Sequence, residues 1–263
     1  MGVARSGYYA WRDRKPSERQ QEDERLKQKI RSFHVGLYRA YGAPRIHRHL
    51  REAGTRCSRR RIGRLMRELG IKASTCGLYK WNPGGHAFYS STGNLLAKAG
   101  KPRGPGEQWA GDFTYVKTGA GWLYCAVIVD LYHRQVVGWS FGRQRNADLT
   151  LSALRMALSR EKRKPGCLFH SDQGIEYAAN AYRDALAAAG MTRSMSRKGN
   201  PLDNAMVESF FHTLKSELIH QQRYKDEVEA VANIVHYIEF YNRDRLHSSL
   251  GYKSPVQFLK CCA

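Results

Sequence analysis

The sequence predicts an α/β protein with a mixed five-stranded sheet, preceded by an all-α unit of helix-turn-helix type. Three observations carry this. Apolar residues recur with helical spacing up to about residue 70. From residue 107 three strand-like runs follow one another, and strand and helix runs then alternate. Between these regions, residues 71–106 hold no sustained periodicity.

The elements follow in order. Residues 22–33, EDERLKQKIRSF, read as a helix whose first-turn acids complement the helix dipole. In YGAPRIHRHLREAG, Pro44 takes a first-turn position, Ile46 and Leu50 stand at i, i+4, and Gly54 stops the helix. In TRCSRRRIGRLMRELG, Ser58 is the N-cap, Ile62, Leu65, Met66 and Leu69 form the apolar stripe, and Gly70 ends it. Two short helices with a brief connection match a helix-turn-helix. Arg59, Arg60, Arg61 and Arg64 then fall near the start of the recognition helix, where base edges and phosphates are met. A basic helical bundle that enters no groove is the alternative. The following stretch contains WNPGGH, STGN and GKPRGPG and reads as a linker. Its Lys80, Lys98, Lys101 and Arg103, interleaved with Tyr79, Trp81, Phe88 and Tyr89, either track a DNA backbone or are simply solvated.

In the second region QWAGDFTYVKT alternates, GWLYCAVIVDLY is continuously apolar, and RQVVGWSFGR follows, with TGAGW and YHR as turns. Residues 147–160 read as an amphipathic helix, CLFHSD as a short buried strand, NAYRDALAAAG as a helix and MTRSMS as a strand. LDNAMVESFFHTLKSEL is a long helix capped by Asp203 or Asn204; residues 226–241 form another. The tail YNRDRLHSSLGYKSPVQF reads as polar and turn-rich. The domains expected are an N-terminal segment 1–21, a helix-turn-helix domain 22–75, a basic linker 76–106, a catalytic core 107–222 and a C-terminal helical extension 223–263.

The formal charge is +21, and it is uneven. Residues 1–103 hold 24 Lys and Arg against 7 Asp and Glu; residues 104–263 hold 20 against 16. Such a balance attracts nucleic acid or an anionic membrane surface, and places the grip in the N-terminal part. The cysteines Cys57, Cys76, Cys125, Cys167, Cys261 and Cys262 form no CxxC pair and no zinc spacing, so free thiols in a reducing cytosol are expected. The longest apolar run, near Trp122 to Leu131, is too short to cross a bilayer, and no signal-type stretch opens the chain. A cytoplasmic protein, nucleoid-associated when on DNA and with no membrane partner, is the expectation.

Three carboxylates stand in distinctive contexts: Asp112 in GDFTYV, Asp172 in FHSDQG and Glu208 in DNAMVESFF, with 35 residues between the last two. Carboxylate oxygens suit Mg²⁺, which binds through few protein ligands plus substrate phosphates. Two such ions about 3.5–4 Å apart can clamp the attacking and leaving oxygens of an in-line displacement. Each acid alone has a plainer reading. Asp112 would be an edge-strand charge, Asp172 a turn residue, and Glu208 part of a solvated helix face. Glu208 is more telling, because Lys215 shares its face two turns on, beside the apolar stripe Val207, Phe210, Leu214 and Leu218. His170 and Ser171 support Asp172 or fill the core. Asn204 orients Glu208 or caps its helix. Asp130 is a turn residue. Tyr241, Asn242, Arg243, Arg245 and His247 reach DNA or a neighbouring subunit.

SGYYAW, YGAPRIHRHL, WAGDFTYV, HSDQGIEYAA, GNPLDNAMVESFFHTLKSEL and YNRDRLHSSLGYKSPVQF, in this order, resemble the second-reading-frame product of the bacterial insertion-sequence transposases with a retroviral-integrase-like core. The resemblance covers nearly the whole chain. It implies a ribonuclease-H-like core in which Asp112, Asp172 and Glu208 hold two Mg²⁺ ions, with Mn²⁺ able to substitute, and in which Lys215 contacts DNA near the reacting end. The implied reaction is a DDE-type polynucleotidyl transfer. Water cuts one strand at the element's end, and the freed 3′-OH attacks another phosphodiester, in this family typically giving a circular intermediate before insertion. Double-stranded DNA, as element ends and target, is the implied partner. A homo-oligomer is implied because two ends must meet. The family's upstream reading-frame product, which supplies a further helix-turn-helix and a coiled coil, is the other expected partner, since neither feature is found in this chain. The competing readings are a DNA-binding regulator of the fused transposase and a nuclease acting on RNA–DNA hybrids.

Overall fold

The computed structural model describes residues 4–74, 94–196 and 204–262. The chain divides into two compact units, Met1–Cys76 and Gly77–Ala263.

The first unit is helical. Helix α1 (Arg5–Arg12) buries no residue and exposes Tyr8, Tyr9 and Trp11. Helix α2 spans Glu18–Gly36, a turn earlier than the 22–33 expected. The reason is a capping box: the Ser17 backbone N–H donates to Gln20 Oε1 (2.8 Å), while the Gln20 N–H donates to Ser17 Oγ (3.3 Å). Helix α3 (Ala43–Glu52) carries Pro44 in its first turn and buries Ile46 and Leu50. Helix α4 (Arg59–Glu68) is capped by Ser58, whose Oγ accepts from Arg61 N–H, and buries Ile62, Leu65 and Met66. Leu69, expected in that stripe, is instead the C-cap and only half-buried. These apolar faces meet Leu26 and Ile30 of α2 and Tyr41 in one small core.

The second unit opens with a short helix α5 (Leu95–Ala99), capped by Asn94, inside the stretch expected to be linker. Ser194 Oγ accepts from the Leu96 N–H, so this end of the stretch is fastened to the sheet. Lys80, Tyr79, Trp81, Phe88, Tyr89 and Cys76 lie outside the described residues. The sheet consists of β1 (Gln108–Thr118), β2 (Gly121–Asp130), β3 (Val136–Gly142), β4 (Leu168–Ser171) and β5 (Thr192–Met195), in the order β3-β2-β1-β4-β5. The three hairpin-linked strands are antiparallel; β4 and β5 join them in parallel, making the sheet mixed.

Between the strands run α6 (Ala147–Arg160), a short α7 (Ile175–Ala178) that the sequence reading did not anticipate, and α8 (Asn180–Ala188). Trp109, Ile128, Val137, Phe169 and Met195 meet Leu151, Leu154, Tyr182 and Leu186 on one face of the sheet. Helices α9 (Ala205–Glu217) and α10 (Glu227–Arg243) pack against the strands without joining that cluster. The tail is not a string of turns: α11 spans Pro255–Cys262 and starts from a second capping box. There the Ser254 N–H donates to Gln257 Oε1 (3.0 Å) and the Gln257 N–H to Ser254 Oγ (3.3 Å).

Candidate active site

Strand register brings Asp112 and Asp172 together. Strands β1 and β4 run parallel with Gly111 opposite Ser171, so the next residue on each leaves the last paired rung beside the other. Adjacent strands lie about 4.8 Å apart. Strand β1 is central, but its pairing with β4 ends at Gly111, so Asp112 stands on β1 just past that last rung. Gly111 is required just before it, because a Cβ there would meet Phe169 Cζ at 2.7 Å. Alternation puts Asp112 on the face opposite Trp109, Gly111 and Phe113. Glu208 comes from the first turn of α9, anchored by buried Val207, Phe210 and Leu214.

Asp112 feels the other two acids. Burial pushes the Asp112 carboxyl up to about 7, and the negative charges of Asp172 and Glu208 add to the push. The Phe113 N–H, which donates to Asp112 Oδ1 at 2.8 Å, and the Arg145 guanidinium oppose it. Burial also raises Asp172, against the Gly174 N–H (2.9 Å to Oδ1) and Arg145; burial raises Glu208. Three carboxyls with raised pKa values, two of them repelling the third, form a site short of positive charge. Hard oxygen donors of this kind fit a divalent cation such as Mg²⁺. Among the described residues no three His, Cys, Asp or Glu side chains converge tightly enough to grip one ion. Residues 197–203, which lead into α9, lie outside the described residues.

Lys215 lies two turns along α9 from Glu208. Its Nζ sits 5.2 Å from the ring centre of Tyr115, three residues beyond Asp112 on the same strand. Tyr115 and Trp122 are exposed and meet edge to face at 5.3 Å. The acid and the cation of α9 thus both lie near β1 beyond its pairing with β4.

Other residues of the sequence reading have their places as well. Asn204 occupies the N-cap position of α9 but makes no cap bond; its Oδ1 is buried with no hydrogen-bond partner among the described residues. Asp203 lies outside them. His170 is a satisfied core histidine, with both ring nitrogens 2.9 Å from the hydroxyls of Ser194 and Ser196. Ser171 donates to the Asp172 carbonyl (3.0 Å). Asp130 is buried and accepts from the Gly106 and Tyr132 N–H groups and the Trp109 indole, so it is a structural knot at the end of β2.

Much of the YNRDRLH segment has partners inside the fold. Buried Arg245 reaches Glu217 with two bonds (2.8 and 2.6 Å), and Tyr237 donates to the same carboxylate at 2.7 Å. Asn242 holds both the N–H and the C=O of Val136 at 2.9 Å. Tyr241 packs on Phe210 and His247, and Arg243 pairs with Glu239 on the surface.

In the helical unit, Arg59 and Arg60 are exposed on the first turn of α4. Arg61 and Arg64 instead grip α2. Asp23 sits 2.7 Å from each of them, Glu22 2.8 Å from Arg61, and Glu68 2.5 Å from Arg64. Arg64, then Arg61, holds the Asp23 carboxyl below its usual value. The sequence reading missed Arg145 and Glu176 altogether. Neither falls on a periodic stripe, and only the packing of α7 against α6 brings them to the carboxylates.

Residues 102–201 and 189–255 match the integrase core domain, and residues 21–76 match an HTH-like domain. The chain is 41% identical over 259 residues to the insertion element IS600 31 kDa protein of Shigella sonnei, covering 98% of this chain and 95% of that one. It is 41% identical over 251 residues to the transposase for insertion sequence element IS904 of Lactococcus lactis, covering 94% and 98%. The chain belongs to the insertion-sequence transposase family. The InsF transposase of IS3A from Escherichia coli K12 shares 38% identity over 263 residues, 98% of this chain and 91% of that one. A chain of the simian T-cell lymphotropic virus intasome has the same fold, with a TM-score of 0.52 at 16% identity over 89% of this transposase and 74% of that chain. The fold is the integrase type expected, with a helix-turn-helix-like unit before it. No helix among the described residues is long and apolar enough to cross a membrane.

Proposed function

We propose that this transposase cuts and joins DNA strands through Asp112, Asp172 and Glu208 as its catalytic carboxylates. The observation that carries this is the β1–β4 register, which sets Asp112 and Asp172 side by side with Glu208 close enough to raise the Asp112 pKa. In this reading the three acids hold two Mg²⁺ ions, or Mn²⁺ in their place, which supply Lewis acidity and charge stabilisation to the phosphoryl transfer. The chain's own residues position and hold. The buried stripe of α9 fixes where Glu208 stands, and the Phe113 and Gly174 N–H groups orient the two aspartates. Lys215, half-buried over Tyr115, meets the DNA backbone near the reacting end. No serine or tyrosine nucleophile is assigned, because a freed 3′-OH attacks the second phosphodiester directly.

The helix-turn-helix region 22–75 grips double-stranded DNA, at element ends and target. Arg59 and Arg60 make the contacts, whereas Arg61 and Arg64 hold the helices together. The stretch 76–106 links this domain to a catalytic core 107–222, which the extension 223–263 braces. Two ends must be held at once, so a homo-oligomer is the working form, with the upstream reading-frame product as a further partner. The protein acts in the cytoplasm on the nucleoid.

The test is a strand-joining assay on branched DNA that mimics the transfer product, with Mg²⁺ or Mn²⁺, wild type beside Glu208→Gln. Metal-dependent resolution of the branch that the variant lacks is the expected result. Tight binding with no reaction in either protein would shift the reading to a DNA-binding regulator.

A further inference from the structure

Arg145 stands at the carboxylate site, and neither the catalytic reading nor the family resemblance gives it a task. It directly precedes Asn146, the N-cap of α6. Its Nε and Nη2 reach the two oxygens of Glu176 on α7, the second at 3.2 Å. Its guanidinium carbon lies 4.1 Å from the Phe113 ring centre. The exposures are lopsided: the Glu176 side chain is 2% exposed, that of Arg145 45%. A buried carboxylate therefore holds a cation that itself faces solvent. The site side is equally close. A Cβ on Gly174 would sit 2.7 Å from Glu176 Oε2, 2.9 Å from Asp172 Oδ1 and 3.3 Å from Arg145 Nη2. Asp172 and Asp112 both feel the guanidinium charge.

This arrangement is poor design for a cation site taken alone, since a fixed positive charge beside the carboxylates weakens their hold on metal ions. It is also more than a surface strut, because an ordinary strut needs no deeply buried acid. What gains from it is an anion. Two of the five guanidinium N–H groups meet Glu176; the Nη1 edge donates to no described residue. A planar fork, locked on one side and open on the other, is pre-organised for a phosphate oxygen. We propose that Arg145, held rigid by Glu176 and Phe113, binds a phosphate of the DNA strand next to the reacting phosphodiester. This rests on the strand-transfer reading of the site.

The experiment uses the full chain and branched DNA in which single phosphates around the junction are replaced by uncharged methylphosphonates, with binding read by fluorescence anisotropy. For wild type, one position should weaken binding by about tenfold. Arg145→Gln should bind the unmodified DNA as weakly and be indifferent to replacement at that position, with the salt slope reduced by about one. Glu176→Gln keeps the charge but frees it, and should retain part of the sensitivity. If Arg145→Gln unfolds around an unpaired Glu176, the double variant Arg145→Gln/Glu176→Gln restores a neutral pair and should show the same indifference. The same methylphosphonate penalty in variant and wild type would overturn the proposal, and a lower Tm alongside it would leave only a strut between α6 and α7. Binding is read without turnover, so the two readings fail separately. A wild type that neither cuts nor joins DNA, yet shows the Arg145-dependent phosphate, would sink the enzymatic reading alone.

Discussion

Two acids in the second unit, fully buried Glu217 and partly buried Asp112, are surrounded in opposite ways. Glu217 receives two bonds from Arg245 and one from Tyr237, and its charge is matched. Asp112 receives one backbone N–H, and burial, with the charges of Asp172 and Glu208 adding to it, pushes its pKa up to about 7. A protein that needed only stability would treat both alike. The first acid closes the fold; the second is left in deficit for something that arrives later. Their partners separate them: Glu217 has a cation and a phenol, Asp112 a single backbone N–H.

The contrast can be broken most sharply by neutralising each acid. Asp112→Asn, Asp172→Asn or Glu208→Gln should abolish strand joining while leaving DNA binding nearly intact; a parallel loss of binding would instead make these residues structural. Glu217→Gln should do the reverse, lowering stability by about 3–5 kcal/mol because Arg245 is left buried without its counter-charge. Urea unfolding with the m-value checked would measure it.

A pH series sharpens the same comparison. The folded pKa of Asp112 lies above its unfolded value of 3.8, so its contribution to stability is full below pH 4 and is lost as the pH rises through about 7. Asp172 and Glu208 are shifted in the same direction, and Arg145 opposes the rise at Asp112 and Asp172. Metal-free wild type should therefore lose stability from pH 5 to 8 relative to Asp112→Asn, by on the order of 2–4 kcal/mol. Parallel Tm profiles for the two proteins would count against the charge-deficit account. In the helical unit, Arg59→Ala with Arg60→Ala should lower the salt slope of DNA binding by about two without touching Tm, whereas Arg61→Ala should cost mainly stability. The smallest effect belongs to the caps: Ser17→Ala or Ser254→Ala should each cost about 1 kcal/mol.

Much of this was legible in the sequence. The order of strands and helices followed from apolar spacing, and the three acids stood out by context. What escaped has particular causes. Two of the helices whose starts were misplaced or missed, α2 and α11, open on the same signal, Ser-x-x-Gln: Ser17 with Gln20 and Ser254 with Gln257. In each case the capping box carries the boundary, and neither apolar spacing nor a polar composition reveals it. Arg61, Arg64 and Arg245 read as surface cations because a lone basic residue does not disclose a partner 28 to 41 residues away. The Arg145–Glu176 pair hid for the same reason. The β1–β4 register, by contrast, is not written in either strand alone; it emerges only when they pair.

Asn242 deserves one more thought as a substitute strand. By holding the N–H and the C=O of Val136, one side chain supplies at the start of β3 what a sixth strand would. Strand β3 lies at the border of the sheet, and unpaired borders invite other chains to add to them. A copy of this gene shortened before codon 242 would still encode Asp112, Asp172 and Glu208. Its product would lack this cover and Arg245 as well, and should be lost to self-association rather than persist as a soluble competitor of the full-length protein.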